Sequence, residues 1–177
     1  GAGDRKKRIL SDMLYSDQIN TVLSVYPQFL GTIAQDEIKK EILPKIQPHS
    51  RGGFVLNTDC AGKHGRHWQA IYFDGRTNGD HSIEFFDSYG DEPSVNILAD
   101  LKAISDKLQS AQSLRFKVNK IKQQRTNTFT CGWFTIEFLN ERFKGVPFKE
   151  VTTFDDSAKG EKGAQRLKKK FNLFGYI

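Results

Sequence analysis

Cysteine is scarce in this chain: two among 177 residues, alongside one methionine, four histidines and five prolines. Cys60 and Cys131 stand far apart in unlike contexts, a poor disulfide framework that points to a reducing compartment. No CxxC occurs, and Cys60, His64 and His67 lack a fourth ligand at metal spacing, so no metal site is expected. No apolar run approaches the roughly 20 residues of a bilayer span, and the Lys/Arg-rich start is followed by no hydrophobic stretch. The expectation is a soluble protein with neither a secretory signal nor a membrane partner. Disorder is excluded as the main description by 37% apolar residues, with 14 Phe and 5 Tyr. Gly1-Ala2-Gly3 reads as a scar of tag removal, and residues 4–177 suit one domain that buries roughly 70% of its unfolded surface.

Charge is present in excess of one sign. The net charge is +6 and the isoelectric point about 9.3, which makes anionic partners plausible. Basic residues gather near the start, over residues 115–122 and over residues 166–170. Runs of this kind are common on solvated faces. The alternative is a sequence-independent, salt-sensitive DNA contact through Arg115, Lys117, Lys120, Lys122, Lys168, Lys169 and Lys170.

The hydrophobic pattern sets out an α+β order. Ser16 can cap a helix with Ile19, Val22, Leu23 and Tyr26 on one face, stopped by Pro27. A second helical patch, Asp36 to Leu43, ends against Pro44. Gly52 to Asn57 reads as a strand, and a polar loop leads to His67. Residues 67–73 and 82–87 read as the arms of a hairpin around the turn-forming run 74–80. Ile97, Leu98, Leu101, Ile104 and Leu108 recur at helical spacing after Pro93. Leu114, Phe116 and Val118 alternate with Arg115, Lys117 and Asn119 on a strand that is half buried and basic outside. Residues 132–143 are a strongly apolar central helix ending at Gly145 and Pro147. A basic helix near 162–171 and a docked apolar end, 173–177, complete the expectation.

Cys131 stands at the head of the central helix. A thiol attacks carbonyls as thiolate, and a helix N-terminus with a nearby imidazole favours that form. His67 can supply the imidazole, and Asp87 can orient it and stabilise its charged state. A tetrahedral intermediate needs donors for its oxyanion, which the backbone N–H of Cys131 and a side-chain amide, Gln123 or Gln124, can provide. Taken singly, each residue has a plainer reading: a small buried hydrophobe, a satisfied core histidine, a turn-capping aspartate. Their order and placement on these elements favour chemistry.

His67-Trp68, Phe86-Asp87, Gln124 and Cys131-Gly132 follow the order of the adenovirus maturation protease family, the adenains, and of its relatives, the ubiquitin-like protein (SUMO) proteases. Phe29-Leu30-Gly31-Thr32, Asn57-Thr58, Phe86-Asp87-Ser88-Tyr89-Gly90 and Asn127 extend the resemblance, which covers residues 26–143. It implies a single-domain α+β fold with a central mixed sheet and the nucleophile at the start of a buried helix. It also implies a Cys131, His67, Asp87 triad and, from the seven-residue step to Cys131, Gln124 as oxyanion donor. Asp87 stands where adenain has Glu, as in the SUMO proteases. Where adenain's activating peptide is tethered by a cysteine, this chain has Ser113.

The function implied is a cysteine endopeptidase that cuts viral capsid or core precursors after Gly, in a slot walled by Trp68, during virion maturation. The source would be a virophage or another virus with an adenovirus-like capsid. No cofactor is needed for the chemistry, and DNA or a viral peptide are candidate activators. A monomer working in the virion and at the assembly site, in host cytoplasm or nucleus, fits this expectation. Its competitors are a protease that deconjugates ubiquitin-like proteins, a Cys-dependent acetyltransferase of the bacterial effector type, and a nonenzymatic DNA-binding capsid component.

Overall fold

The computed structural model describes residues 13–58, 67–124 and 130–152. Within them one five-stranded sheet runs in the order β1 (Phe29–Ala34), β2 (Arg51–Asn57), β3 (Trp68–Asp74), β4 (Ser82–Asp87), β5 (Arg115–Val118). The two outer pairs are parallel and the two inner pairs antiparallel, so the sheet is mixed. Four α-helices accompany it: α1 (Ser16–Leu23), α2 (Val95–Leu108), α3 (Cys131–Phe143) and α4 (Phe148–Thr152). The fold is the α+β single domain with a mixed sheet that the sequence led us to expect. No described helix is long and apolar enough to cross a membrane.

Both sheet faces are covered. Trp68, Ala70 and Tyr72 of β3 pack with α1 and α3, while Ile71 and Phe73 pack with α2 and the turn around Ile38 and Ile42. A strand buried on both sides reads as a continuous apolar run, and every residue of β3 and β4 is buried. Helix α3 lies so deep that all its residues but Glu141 are buried. Gly53 lets it approach: a Cβ there would meet Leu139 Cδ2 at 2.9 Å and Ile71 O at 3.0 Å.

The structure departs from the sequence expectations in several places. Helix α1 is capped from Tyr15, whose backbone N–H donates to Gln18 Oε1 at 2.9 Å, rather than from Ser16. The patch before Pro44 is a π-helical turn, Ile38–Ile42, running into a 3₁₀ turn, Leu43–Lys45, that contains the proline. Proline is tolerated there because a first turn needs no N–H from it. Strand β1 was not foreseen: it is half-buried throughout, has Gly31 at φ 117° and slips register between Phe29 and Thr32. On β5 the expected alternation fails, since Phe116 is 46% exposed and Asn119 is buried. An edge strand has one neighbour, so its outer residues lack a layer to bury them. Leu98 of α2 is likewise 40% exposed. The helix expected near 162–171 and the docked end 173–177 lie outside the described residues.

Candidate active site

The start of β3 and the end of β4 meet at one edge of the hairpin, where Gln69 pairs with Asp87. His67 directly precedes β3, and its carbonyl accepts from Thr58 N at 3.0 Å. Its Nε2 lies 2.8 Å from Asp87 Oδ2. Asp87 is fully buried, and its carboxylate also accepts from Gln69 Nε2 at 2.7 Å and from Tyr89 N at 2.7 Å. Its backbone is clamped by one amide: Asp87 N donates to Asn119 Oδ1 at 2.9 Å, and Asn119 Nδ2 donates to Asp87 O at 2.6 Å. The carboxylate therefore has a fixed direction. Tyr89 stacks on the His67 ring with centroids 4.9 Å apart, and Lys122 Nζ stands 5.4 Å from the Tyr89 centroid.

Burial alone would lower the His67 pKa, but hydrogen bonds and charge from Asp87 and Cys131 outweigh it and raise the value from 6.5 to about 10. Burial would raise Asp87, yet the hydrogen bond and charge of His67, with Gln69 and the Tyr89 N–H, hold it below the usual carboxylate value. Each shift favours the charged form of its group, so the pair is an imidazolium and a carboxylate. With Nε2 on Asp87, Nδ1 is the ring nitrogen left to serve Cys131.

Cys131 opens α3, whose N-cap is Thr130, and so sits at the positive end of the helix. Thr135 Oγ1 is within 2.8 Å of Cys131 O and 3.3 Å of Trp68 O, tying the helix's first turn to the start of β3. Gly132 allows that closeness: a Cβ there would lie 3.0 Å from Leu14 Cβ and 3.2 Å from Trp68 Cδ1. Trp68, expected to wall a substrate slot, is only 8% exposed and donates from Nε1 to Leu14 O at 3.0 Å. Leu14 thus shares whatever wall Trp68 provides.

The two glutamines have different surroundings. Gln123 Nε2 donates to Val151 O at 3.0 Å, toward α4. Gln124 is fully buried, and its Oε1 accepts from Ser88 Oγ at 2.5 Å, so the donor end of its amide faces away from Ser88. Among the described residues no group of three or more His, Cys, Asp or Glu could hold a metal ion.

Of the basic set, Arg115, Lys120 and Lys122 are exposed and Lys117 is half-buried, its Nζ 5.7 Å from the Phe148 ring centroid. Lys168, Lys169, Lys170, Cys60 and His64 lie outside the described residues. Gln69, Ser88, Asn119 and Thr135 carry no site role in the sequence reading, although Ser88 belongs to the run 86–90 and Asn119 to the alternation around β5. A hairpin register centred on Asn78 is the signal that could have placed Gln69 opposite Asp87.

No family model matches the chain. A protein named SUMO-1 cysteine protease from African swine fever virus is 31% identical over 105 residues, 58% of this chain and 37% of the relative. The chain therefore spans less than two fifths of that relative's length. Among solved structures, a crystal structure of a protease from the same virus matches with TM-score 0.68 and 21% identity, covering 89% of this chain and 67% of the other. The Ulp1 protease domain, solved in complex with Smt3, the yeast ortholog of SUMO, matches with TM-score 0.56 and 16% identity over 93% of this chain and 77% of its own. The Chlamydia abortus effector ChlaDUB gives TM-score 0.65 and 12% identity over 89% and 90%. The fold of this chain is the one these structures share.

Proposed function

We propose that the chain is a cysteine peptidase cleaving after glycine, with Cys131 as nucleophile, His67 as general acid and base, and Asp87 as the group that orients His67. One observation carries the reading: an imidazole bonded at 2.8 Å to a fully buried carboxylate, its pKa raised both by that carboxylate and by the thiol that opens a buried helix. Cys131 thiolate adds to the scissile carbonyl. Gln124 Nε2 and the N–H groups at the start of α3 receive the oxyanion. His67 then protonates the departing amine, and later takes a proton from the water that releases the acyl group. A glycine at the cut suits a thiol only 3% exposed beside Trp68, because bare backbone reaches where a side chain would collide.

The substrate class nearest to the comparisons is a ubiquitin-like protein of the SUMO kind, since one relative is named a SUMO-1 cysteine protease and Ulp1 was solved with Smt3; its C-terminal tail is the segment that would enter the site. The viral origin of the 31% identical relative keeps a second reading in view: maturation cleavage of capsid or core precursors in the virion or at its assembly site, aided by DNA on Arg115, Lys117, Lys120 and Lys122. Turnover of a ubiquitin-like C-terminal reporter and of a short Gly-Gly peptide separates the two. Preference for the reporter supports deconjugation. Equal turnover, with precursor cuts that mass spectrometry finds for wild type and not for Cys131→Ala, supports maturation. Acetyl uptake from acetyl-CoA at Cys131, without hydrolysis of either substrate, would sink both.

A further inference from the structure

A glutamine side chain reaches a site through three rotatable bonds, and its two ends differ only in hydrogen bonding. An amide that must meet an oxyanion therefore needs something to place it and to hold its oxygen out of the way, since the wrong end would present a lone pair to a negative charge. In this chain Ser88 grips Gln124 at two points. The Ser88 carbonyl accepts from the backbone N–H of both Gln123, at 2.7 Å, and Gln124, at 2.9 Å. The Ser88 hydroxyl meets Gln124 Oε1 at 2.5 Å, and both residues are fully buried. That separation belongs to an O–H···O bond and is too short for N–H···O, so the hydroxyl faces the amide oxygen. Ser88 is itself anchored: the preceding residue, Asp87, is held at N and O by Asn119.

We propose that Ser88 is a positioning residue, which by donating to Gln124 Oε1 keeps the Gln124 Nε2–H turned toward the carbonyl that Cys131 attacks. The dipeptide Asp87-Ser88 then sets both halves of the site, Asp87 directing the base and Ser88 directing the oxyanion donor. This rests on Gln124 being the donor, as in the function proposed above.

The experiment measures kcat and KM on a fluorogenic Gly-Gly peptide for wild type, Ser88→Ala, Ser88→Thr, Gln124→Ala and the Ser88→Ala/Gln124→Ala pair. It also measures the rate of Cys131 alkylation by iodoacetamide at neutral pH. Loss of the Gln124 donor should lower kcat about 10²- to 10³-fold. Ser88→Ala should lower kcat about tenfold with KM within about twofold, leave alkylation unchanged, and add less than about twofold in the Gln124→Ala background, where it has nothing left to position. Ser88→Thr keeps the hydroxyl and should recover most of the loss. If it does not fold, the comparison of Ser88→Ala in the two backgrounds decides alone. An equal Ser88→Ala loss in both backgrounds, or alkylation falling in step with kcat, overturns the inference, because Ser88 would then act on the fold or on the Asp87 pair. If Gln124→Ala itself leaves kcat unchanged, the oxyanion assignment fails first, and the positioning role falls with it.

Discussion

Glu84 and Asp87 lie on the same strand, β4, and both are fully buried, yet they hold different kinds of cation. Glu84 faces α3 and takes Arg142 through both oxygens, from Nε at 2.8 Å and from a terminal nitrogen at 2.9 Å, with Ser82 Oγ donating at 2.7 Å. Asp87 faces the other way and takes His67 through one oxygen. Each cation also has an aromatic ring beside it: Tyr72 lies 4.4 Å from the Arg142 guanidinium carbon, and Tyr89 stacks on His67. The plan is the same and the outcome differs. Arginine never gives up its proton, so the Glu84 pair is a fixed strut between strand and helix. Imidazole can, so the Asp87 pair can pass a proton to a reacting group. Burial of a carboxylate says little by itself; the titratability of its partner says what the pair is for.

The sharpest way to break this comparison is to remove each cation. Cys131→Ala should cut kcat/KM by about 10⁴-fold or more while the melting temperature changes little, and His67→Ala should cost as much activity, since nucleophile and base act as one unit. Arg142→Met should do the reverse. It leaves Glu84 charged, buried and unpaired, a loss of about 3–5 kcal/mol, read by urea melts, with kcat per folded molecule near wild type. The comparison fails if Arg142→Met lowers kcat per folded molecule as much as His67→Ala does.

Neutralising each acid comes next in size. Asp87→Asn should lower kcat by about 10³- to 10⁴-fold, because the amide no longer stabilises the imidazolium or fixes its orientation. Glu84→Gln should lower stability and leave kcat within about twofold. Dependence on pH separates the pairs further. The folded His67 value, about 10, lies above its ordinary 6.5, so its pairing stabilises the fold fully below pH 6.5 and fades as pH rises through 10. Asp87, held below 3.8, contributes above that value and loses its share as pH falls through its lowered folded pKa. Melting curves of wild type and His67→Gln should therefore converge between pH 6.5 and 10, and a gap that stays constant over that range would contradict the pairing.

The parts of this arrangement that sequence makes legible are those in which residue type carries the chemistry. Cys131 before an apolar helix, His67 opening a β-rich run and Asp87 closing the next run are chemically distinctive, and the hairpin between the last two is marked by its turn-forming residues. Helices α2 and α3 were legible for a related reason, since long apolar periodicity survives small local exceptions such as Leu98. Strand β1 was hidden because Gly31 and a register slip remove its alternation. The residues around the triad were hidden differently. Ser88, Gln69 and Asn119 are ordinary polar residues until the register puts Gln69 opposite Asp87 and Asn119 beside its backbone. Glu84 and Arg142 look like any surface pair in a strand and a helix, and only the layering of the sheet makes them a buried strut.

The smallest predicted effects test the rings. A stacked or cation-facing ring contributes about 0.5–1.5 kcal/mol beyond its buried area. Tyr89→Leu keeps apolar bulk against His67 and loses the stack, so kcat/KM should fall about threefold to tenfold with little change in melting temperature. Lys122→Gln should fall by no more than about twofold, and the difference should shrink in high salt because Lys122 is exposed. Tyr72→Leu should show the opposite balance: Tyr72 is 1% exposed against Arg142, so removing the ring should lower stability and leave kcat/KM untouched. If Tyr89→Leu instead destabilised the fold while kcat/KM held, the ring over His67 would be packing of the same kind as Tyr72, and the difference between the two pairs would reduce to the cations alone.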